Sequence, residues 1–185
     1  MPKRWNRDPI QAAYDLWVGK GWEDTADGMT AVTSLLRVHQ LLTQRADQIL
    51  SSVELTFARY EVLVVLYFNE DAVPLSYLAQ ALQLHQASVT NLVDKLEKQG
   101  YLERRAHPSD RRVTLAQITR TGRARTRTAI RRLSSELYAQ LGLTVEETRA
   151  LVTIFAKMRH AWGDVEENGE VDAAGALLHV AQSTA

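Results

Sequence analysis

Between Gln86 and Lys95 the chain sets hydrogen-bonding side chains at helical spacing: Gln86, Ser88, Thr90, Asn91 and Lys95. Hydroxyl and amide groups of this kind pair with base edges, and an ammonium or amide pairs with phosphate oxygens. A second set follows in His107-Pro108-Ser109-Asp110-Arg111-Arg112. Arginine at a hairpin tip can enter a narrow, electronegative minor groove. Asp110 stands two residues before Arg112, close enough to hold that guanidinium fork in one orientation. The chemistry on offer is non-covalent recognition of a polyanion.

The elements that must position these groups are legible in the same stretch. From Gln86 to Gln99, Val89, Leu92, Val93 and Leu96 form the i, i+3, i+4, i+7 stripe of a helix packed on a core. At about 100° per residue the opposite face carries Ala87, Asn91, Asp94 and Lys98, with Ser88, Thr90 and Lys95 on its flanks. The alanine lets the backbone approach a groove. Ser88, Thr90 and Asn91 then read bases, while Gln86 and Lys95 reach phosphates. Gly100 supplies the left-handed stop. Tyr101–Arg105 and Arg112–Thr119 read as two strands around the turn at 107–110, and Arg104, Arg105, Arg111 and Arg112 make that hairpin basic. A groove-sized helix followed by a basic wing is a winged helix-turn-helix, which implies double-stranded DNA as partner.

Leu78-Ala79, Val89-Thr90, Leu92-Val93-Asp94-Lys95-Leu96-Glu97, Gly100-Tyr101-Leu102, Asp110-Arg111-Arg112 and Ile118-Thr119 with Gly122 resemble, in that order, the MarR family of bacterial transcription regulators. The resemblance covers about residues 28–162. It implies a mainly α homodimer with two winged lobes, palindromic operators, and repression relieved by a small anionic or aromatic ligand. Some members carry an N-terminal extension, as residues 1–27 do here. The urate-responsive subgroup is one of these, but it uses an arginine near the start of the recognition helix, and Gln86–Asn91 contains none.

Composition agrees with a regulator and excludes other classes. The chain has 185 residues, 45% hydrophobic and 24% charged, as an ordinary globular domain has. It has no cysteine, so disulfides, thiolate metal sites and thiol-based peroxide sensing are absent. The basic start MPKRWNRDP lacks the apolar core of a secretory signal, and no apolar run approaches 18 residues; cytoplasmic location and no membrane contact are expected. The net charge of zero hides a segregation. Residues 86–132 hold twelve Lys/Arg against four Asp/Glu, a net +8, whereas residues 133–185 carry −5. A basic module in a neutral protein is a footprint for nucleic acid. His39, His85, His107, His160 and His179 show no ligand spacing, and no phosphate loop, dinucleotide fingerprint or nucleophile elbow occurs. No enzyme, metal or cofactor is expected. The competing reading is a winged helix serving only protein contacts. It needs an acidic or apolar outer face, and Asp94 is the one acid there.

The remaining elements are read in chain order. Asp8-Pro9 starts a helix carrying Ile10, Ala13, Tyr14 and Trp17, closed by Gly19 and Gly21. A long helix is predicted from about Thr30 to Leu50, with His39 on its apolar side as a buried histidine. Thr56 caps a core helix, Phe57–Phe68, followed by a strand at Val73–Leu75 and a helix capped by Ser76 through Leu82. His85 then stands where relatives place a hydroxyl cap; if its ring caps the recognition helix, its protonation weakens the cap and makes DNA binding pH-sensitive. A helix from Thr121-Gly122 to about Leu141 and another from the capping box Thr144-Val145-Glu146-Glu147 to Trp162 complete the domain. Helices at about 28–51 and 121–162 are assigned to dimerisation and about 55–120 to the winged helix. Residues 163–185 form a tail, within which Val171, Ala174, Leu177 and Leu178 have helical spacing. Trp22, His39 and Tyr60 are the candidate ligand contacts. The plainer reading of Trp5, Trp17 and Trp22 is aromatic packing.

Overall fold

The computed structural model describes residues 7–69 and 71–164. Trp5 and the 171–178 stretch lie outside them. The chain divides into two compact units, Met1–Gln48 and Ile49–Ala185.

The first unit holds α1 (Pro9–Val18) and most of α2 (Glu23–Ser51). Asp8 caps α1 by accepting from the Ile10 N–H at 2.9 Å, with Pro9 in the first turn, where its missing N–H costs nothing. Gly21 turns the chain at φ +80°. Trp17 then donates from Nε1 to Thr25 Oγ1 at 3.0 Å and meets Trp22 edge-on at 4.9 Å. The aromatic stripe thus packs α1 against the start of α2. That helix begins at Glu23, seven residues before the predicted Thr30. Its first turns carry Asp24, Asp27 and Gly28, poor helix formers that mask the pattern, yet Glu23 and Asp24 suit the positive end of the helix dipole.

The second unit is built on α3 (Phe57–Phe68), whose Val62, Leu63 and Leu66 are at most 1% exposed. It packs against α4 (Leu75–Ala81), α5 (Gln86–Lys98), β3 (Thr114–Ile118) and α6 (Arg120–Glu136); β1 (Val73–Pro74), β2 (Leu102–Ala106), a 3-10 turn at Tyr138–Gln140 and α7 (Val145–Ala161) are the unit's other elements. The three strands form an antiparallel sheet in the order β1-β3-β2, with Arg104 opposite Ala116 and Val73 also opposite Ala116 on the other side.

Boundaries in this unit also differ from the sequence reading. Helix α4 begins at Leu75 with Pro74 as its N-cap, not Ser76; proline cannot donate to a ladder, so the strand stops there. Thr119, not Thr121, caps α6, accepting from the Gly122 N–H at 3.0 Å. That helix ends at Glu136 rather than Leu141, and Leu141 is 42% exposed.

Tyr101 locks the lobe. Gly100, at φ +71°, lets the Tyr101 N–H return to Leu96 O at 3.0 Å. The Tyr101 carbonyl accepts from the Thr119 N–H at 3.0 Å, and Thr119 Oγ1 donates to Gly100 O at 2.8 Å. Helix α6 presses so closely that a Cβ on Gly122 would lie 1.9 Å from Tyr101 O. Gly100-Tyr101-Leu102 and Thr119…Gly122 are therefore one packing joint.

Candidate nucleic-acid interface

Helix α5 buries Val89, Val93 and Leu96 completely and turns Gln86, Ser88, Thr90, Asn91 and Lys95 outward, all exposed. The Thr90 hydroxyl donates to Gln86 O at 2.9 Å, which leaves its oxygen lone pairs as the outward function. His85 is the backbone N-cap: its carbonyl accepts from the Ser88 and Val89 N–H groups at 2.9 and 3.2 Å. Its side chain makes no capping hydrogen bond. This corrects the imidazole-cap expectation and removes the bond on which a pH-sensitive cap would depend. The first turn also holds no acid, so no carboxylate of that turn competes with a phosphate for the helix N–H end.

The wing tip is a structured turn. The His107 Nδ1 accepts from the Ser109 and Asp110 N–H groups at 3.3 and 3.2 Å, and the Val113 N–H donates to Asp110 O at 3.0 Å. Strand β3 consequently starts at Thr114, and Arg112, predicted as its first residue, lies in the turn. Asp110 Oδ1 accepts from the Arg112 N–H at 3.0 Å and from its Nε at 3.2 Å. These two donors, backbone first, hold the Asp110 carboxyl below its ordinary range. Arg112 remains 92% exposed and Arg111 is also exposed.

The other two wing arginines are committed elsewhere. Arg105 pairs with Glu103 on its own strand at 2.5 Å. Arg104 turns back onto α5, where Asp94 and Glu97 each accept from its guanidinium at 2.5 Å. Burial works against its charge, but the two carboxylates hold its pKa above the ordinary guanidinium value. Of the four wing arginines, Arg105, Arg111 and Arg112 stay exposed and Arg104 is withdrawn. In the sequence the spacing of Asp94 and Glu97, three apart on one helix face, is the signal for a shared cation; its source across the hairpin is not written there.

Two of the candidate ligand contacts, Trp22 and His39, are not gathered on one chain. Trp22 is 53% exposed and His39 is exposed, against the expected buried histidine. Sixteen helical residues, about 24 Å at about 1.5 Å each, separate the start of α2 at Glu23 from His39, so one chain does not bring Trp22 and His39 to one small-molecule site. Tyr60 is buried and stacked on Phe57 at 5.9 Å, with the Tyr138 hydroxyl near its own. Burial, then Tyr138, raises the Tyr60 pKa, and burial raises that of the neighbouring Glu61. Tyr138 lies past the end of α6, where helical periodicity has ceased to place side chains.

Comparison with known proteins agrees with this geometry. The family model "MarR family" matches residues 55–114. The Bacillus subtilis protein YdgJ, an uncharacterized HTH-type transcriptional regulator, is 32% identical over 112 residues, 59% of this chain and 66% of its own length, just under two thirds. The crystal structure of Sco5413, a MarR family transcriptional regulator from Streptomyces coelicolor, is 35% identical, covers 76% of this chain and 99% of its own, and superposes with a TM-score of 0.69. The transcriptional repressor CouR bound to a 23-mer DNA duplex is 25% identical, covers 69% of this chain and 90% of its own, with a TM-score of 0.65.

Proposed function

The chain belongs to the MarR family of DNA-binding transcription regulators, and from that premise we propose how it reads DNA. As a homodimer on a palindromic operator, each lobe sets Ser88, Thr90 and Asn91 of α5 against base edges in the major groove. Gln86 and Lys95 take phosphates, and Arg111 and Arg112 reach the flanking minor groove with Asp110 orienting the fork. The observation that carries this reading is the exposed polar face of α5 beside a turn whose Arg112 is 92% exposed yet tied to Asp110. A surface of that kind suits a polyanion. It gives no support to a module made only for protein contacts, and members of the family are regulators rather than enzymes.

Dimerisation is supported by apolar faces that the single chain leaves open. Leu151, Val152 and Ile154 of α7 are 36%, 42% and 53% exposed, and Val32 and Leu36 of α2 are 48% and 58% exposed. A second copy covers such faces under two-fold symmetry and sets two α5 helices about one DNA turn apart. Bound at a promoter, the dimer represses by occlusion. Release by a small aromatic or anionic ligand would act near Tyr60 and Glu61, where burial already perturbs both groups. Trp22 and His39 stand too far apart on one chain to serve the same ligand. No helix among the described residues is long and apolar enough to cross a membrane, and a regulator of this kind works in the cytoplasm.

The test is fluorescence-anisotropy binding to the DNA upstream of the protein's own gene, over a salt series, against a scrambled duplex. The expected result is nanomolar preference for the native duplex with a steep negative salt slope. Equal, weak binding to both duplexes, and to a wider panel of promoter DNA, would overturn it.

A further inference from the structure

We infer that Arg104 is a positioning residue that couples the wing to the recognition helix, fixing the two DNA-reading elements in one register while halving the negative charge of the carboxylates beside the reading face. This rests on the DNA-reading role proposed above. Strand β2 is an edge strand, paired only with β3. Its outward N–H groups would ordinarily meet water. The Arg104 N–H instead donates to Glu97 Oε1 at 3.1 Å. From the same residue, Nη1 donates to Glu97 Oε2 at 2.5 Å and Nη2 to Asp94 Oδ1 at 2.5 Å, with the Thr90 carbonyl at 3.5 Å from Nη2. Thr90, Asp94 and Glu97 are spaced i, i+4, i+7, so one guanidinium spans two turns of one side of α5.

Only a planar fork can make these contacts together; an ammonium is a point charge. The Arg104 side chain is 24% exposed, against 56% for Arg105 and 92% for Arg112. Arg104 is thus withdrawn from the surface that meets phosphates. Asp94 and Glu97 would otherwise stand as two negative charges next to Asn91 and Lys95, where they would repel the DNA backbone. With Arg104 between them, the charge on the side of α5 nearest the wing falls from −2 to −1, and the wing root is tied to the helix.

The chain has no cysteine, so Ser109→Cys gives a single nitroxide label at the wing tip of the full-length protein. The label is read by electron paramagnetic resonance without DNA, and operator affinity is read by anisotropy on unlabelled protein. Arg104→Gln and Arg104→Lys are both expected to free the label and to weaken operator binding at least fivefold. Lysine should fail almost as badly as glutamine, whereas a phosphate contact would be kept by lysine. Asp94→Asn and Glu97→Gln, isosteric changes from the helix side, should free the label in the same direction by less, so the result does not hang on the Arg104 variants folding. Wild-type affinity in Arg104→Lys, or an unchanged label in all four variants, would overturn the coupling. If the unsubstituted protein prefers no operator, the proposed function fails, and label mobility still decides the coupling on its own.

Discussion

Helices α5 and α7 are both amphipathic, yet the chain treats them oppositely. In α5 the apolar stripe Val89, Val93, Leu96 is fully buried; in α7 no described residue is buried, and Ile154 is 53% exposed. The partners of α5, α3 and α4, lie in the same lobe. A period of 3.6 states that a face must be covered, not by what. The contrast separates a self-sufficient reading lobe from a helix that needs a second chain.

The largest test of that separation falls on the lobe. Gly122→Val puts side-chain carbon against the Tyr101 backbone, where a Cβ would lie 1.9 Å from the carbonyl oxygen. Neither backbone can yield, and a loss on the order of 3 kcal/mol or more is expected, enough to lose cooperative unfolding in a thermal melt. A variant that melts like the parent would show that the α6–Tyr101 joint is not what closes the lobe.

Next comes α7. Ile154→Asp should weaken the dimer by roughly 2–3 kcal/mol, about 30- to 160-fold, seen as monomer by light scattering at micromolar concentration. The lobe should keep its α5 hydrogen-exchange protection. Loss of both together would erase the distinction drawn here.

Arg112→Ala should cost about 1–3 kcal/mol in operator affinity and leave folding unchanged, since the side chain is 92% exposed. Arg105→Ala, on a residue paired with Glu103, should cost less. Equal losses would mean that the tether to Asp110 does not select the reading arginine.

The smallest effect concerns Glu61. Burial raises its pKa above the ordinary 4.5, so the folded state prefers the protonated acid. Its stabilising contribution is complete below that ordinary value and is lost as pH rises through the raised one. The group is only half-buried, so the effect stays below about 1 kcal/mol. Glu61→Gln should raise the melting midpoint at pH 7 by about 1–3 °C and flatten its dependence between mildly acid and neutral pH.

Much of the lobe was legible because its signals are local. The stripe of α5, the Gly100 stop, and the Thr144–Glu147 capping box, with bonds of 2.8 and 3.2 Å, each lie within a few residues. What escaped was set by contacts across the sequence. The start of α2 was hidden by weak helix formers. Arg104 counted only toward the basic charge of the hairpin, and its place against Asp94 and Glu97 was set by the hairpin's closure. His85 stands where relatives place a hydroxyl cap, and its backbone caps the helix without help from its ring.

By itself the sequence determined which helices exist, which face of each is apolar, the charge of the wing and the absence of thiol chemistry, because propensity, periodicity and composition act over a few residues. Tertiary structure alone decided which of the wing arginines face outward, why Gly122 admits no side chain and where Trp22, His39 and Tyr60 stand. The first two depend on closing the hairpin and pressing α6 onto Tyr101, which brings together groups 7 to 21 residues apart whose mutual distance no local pattern encodes.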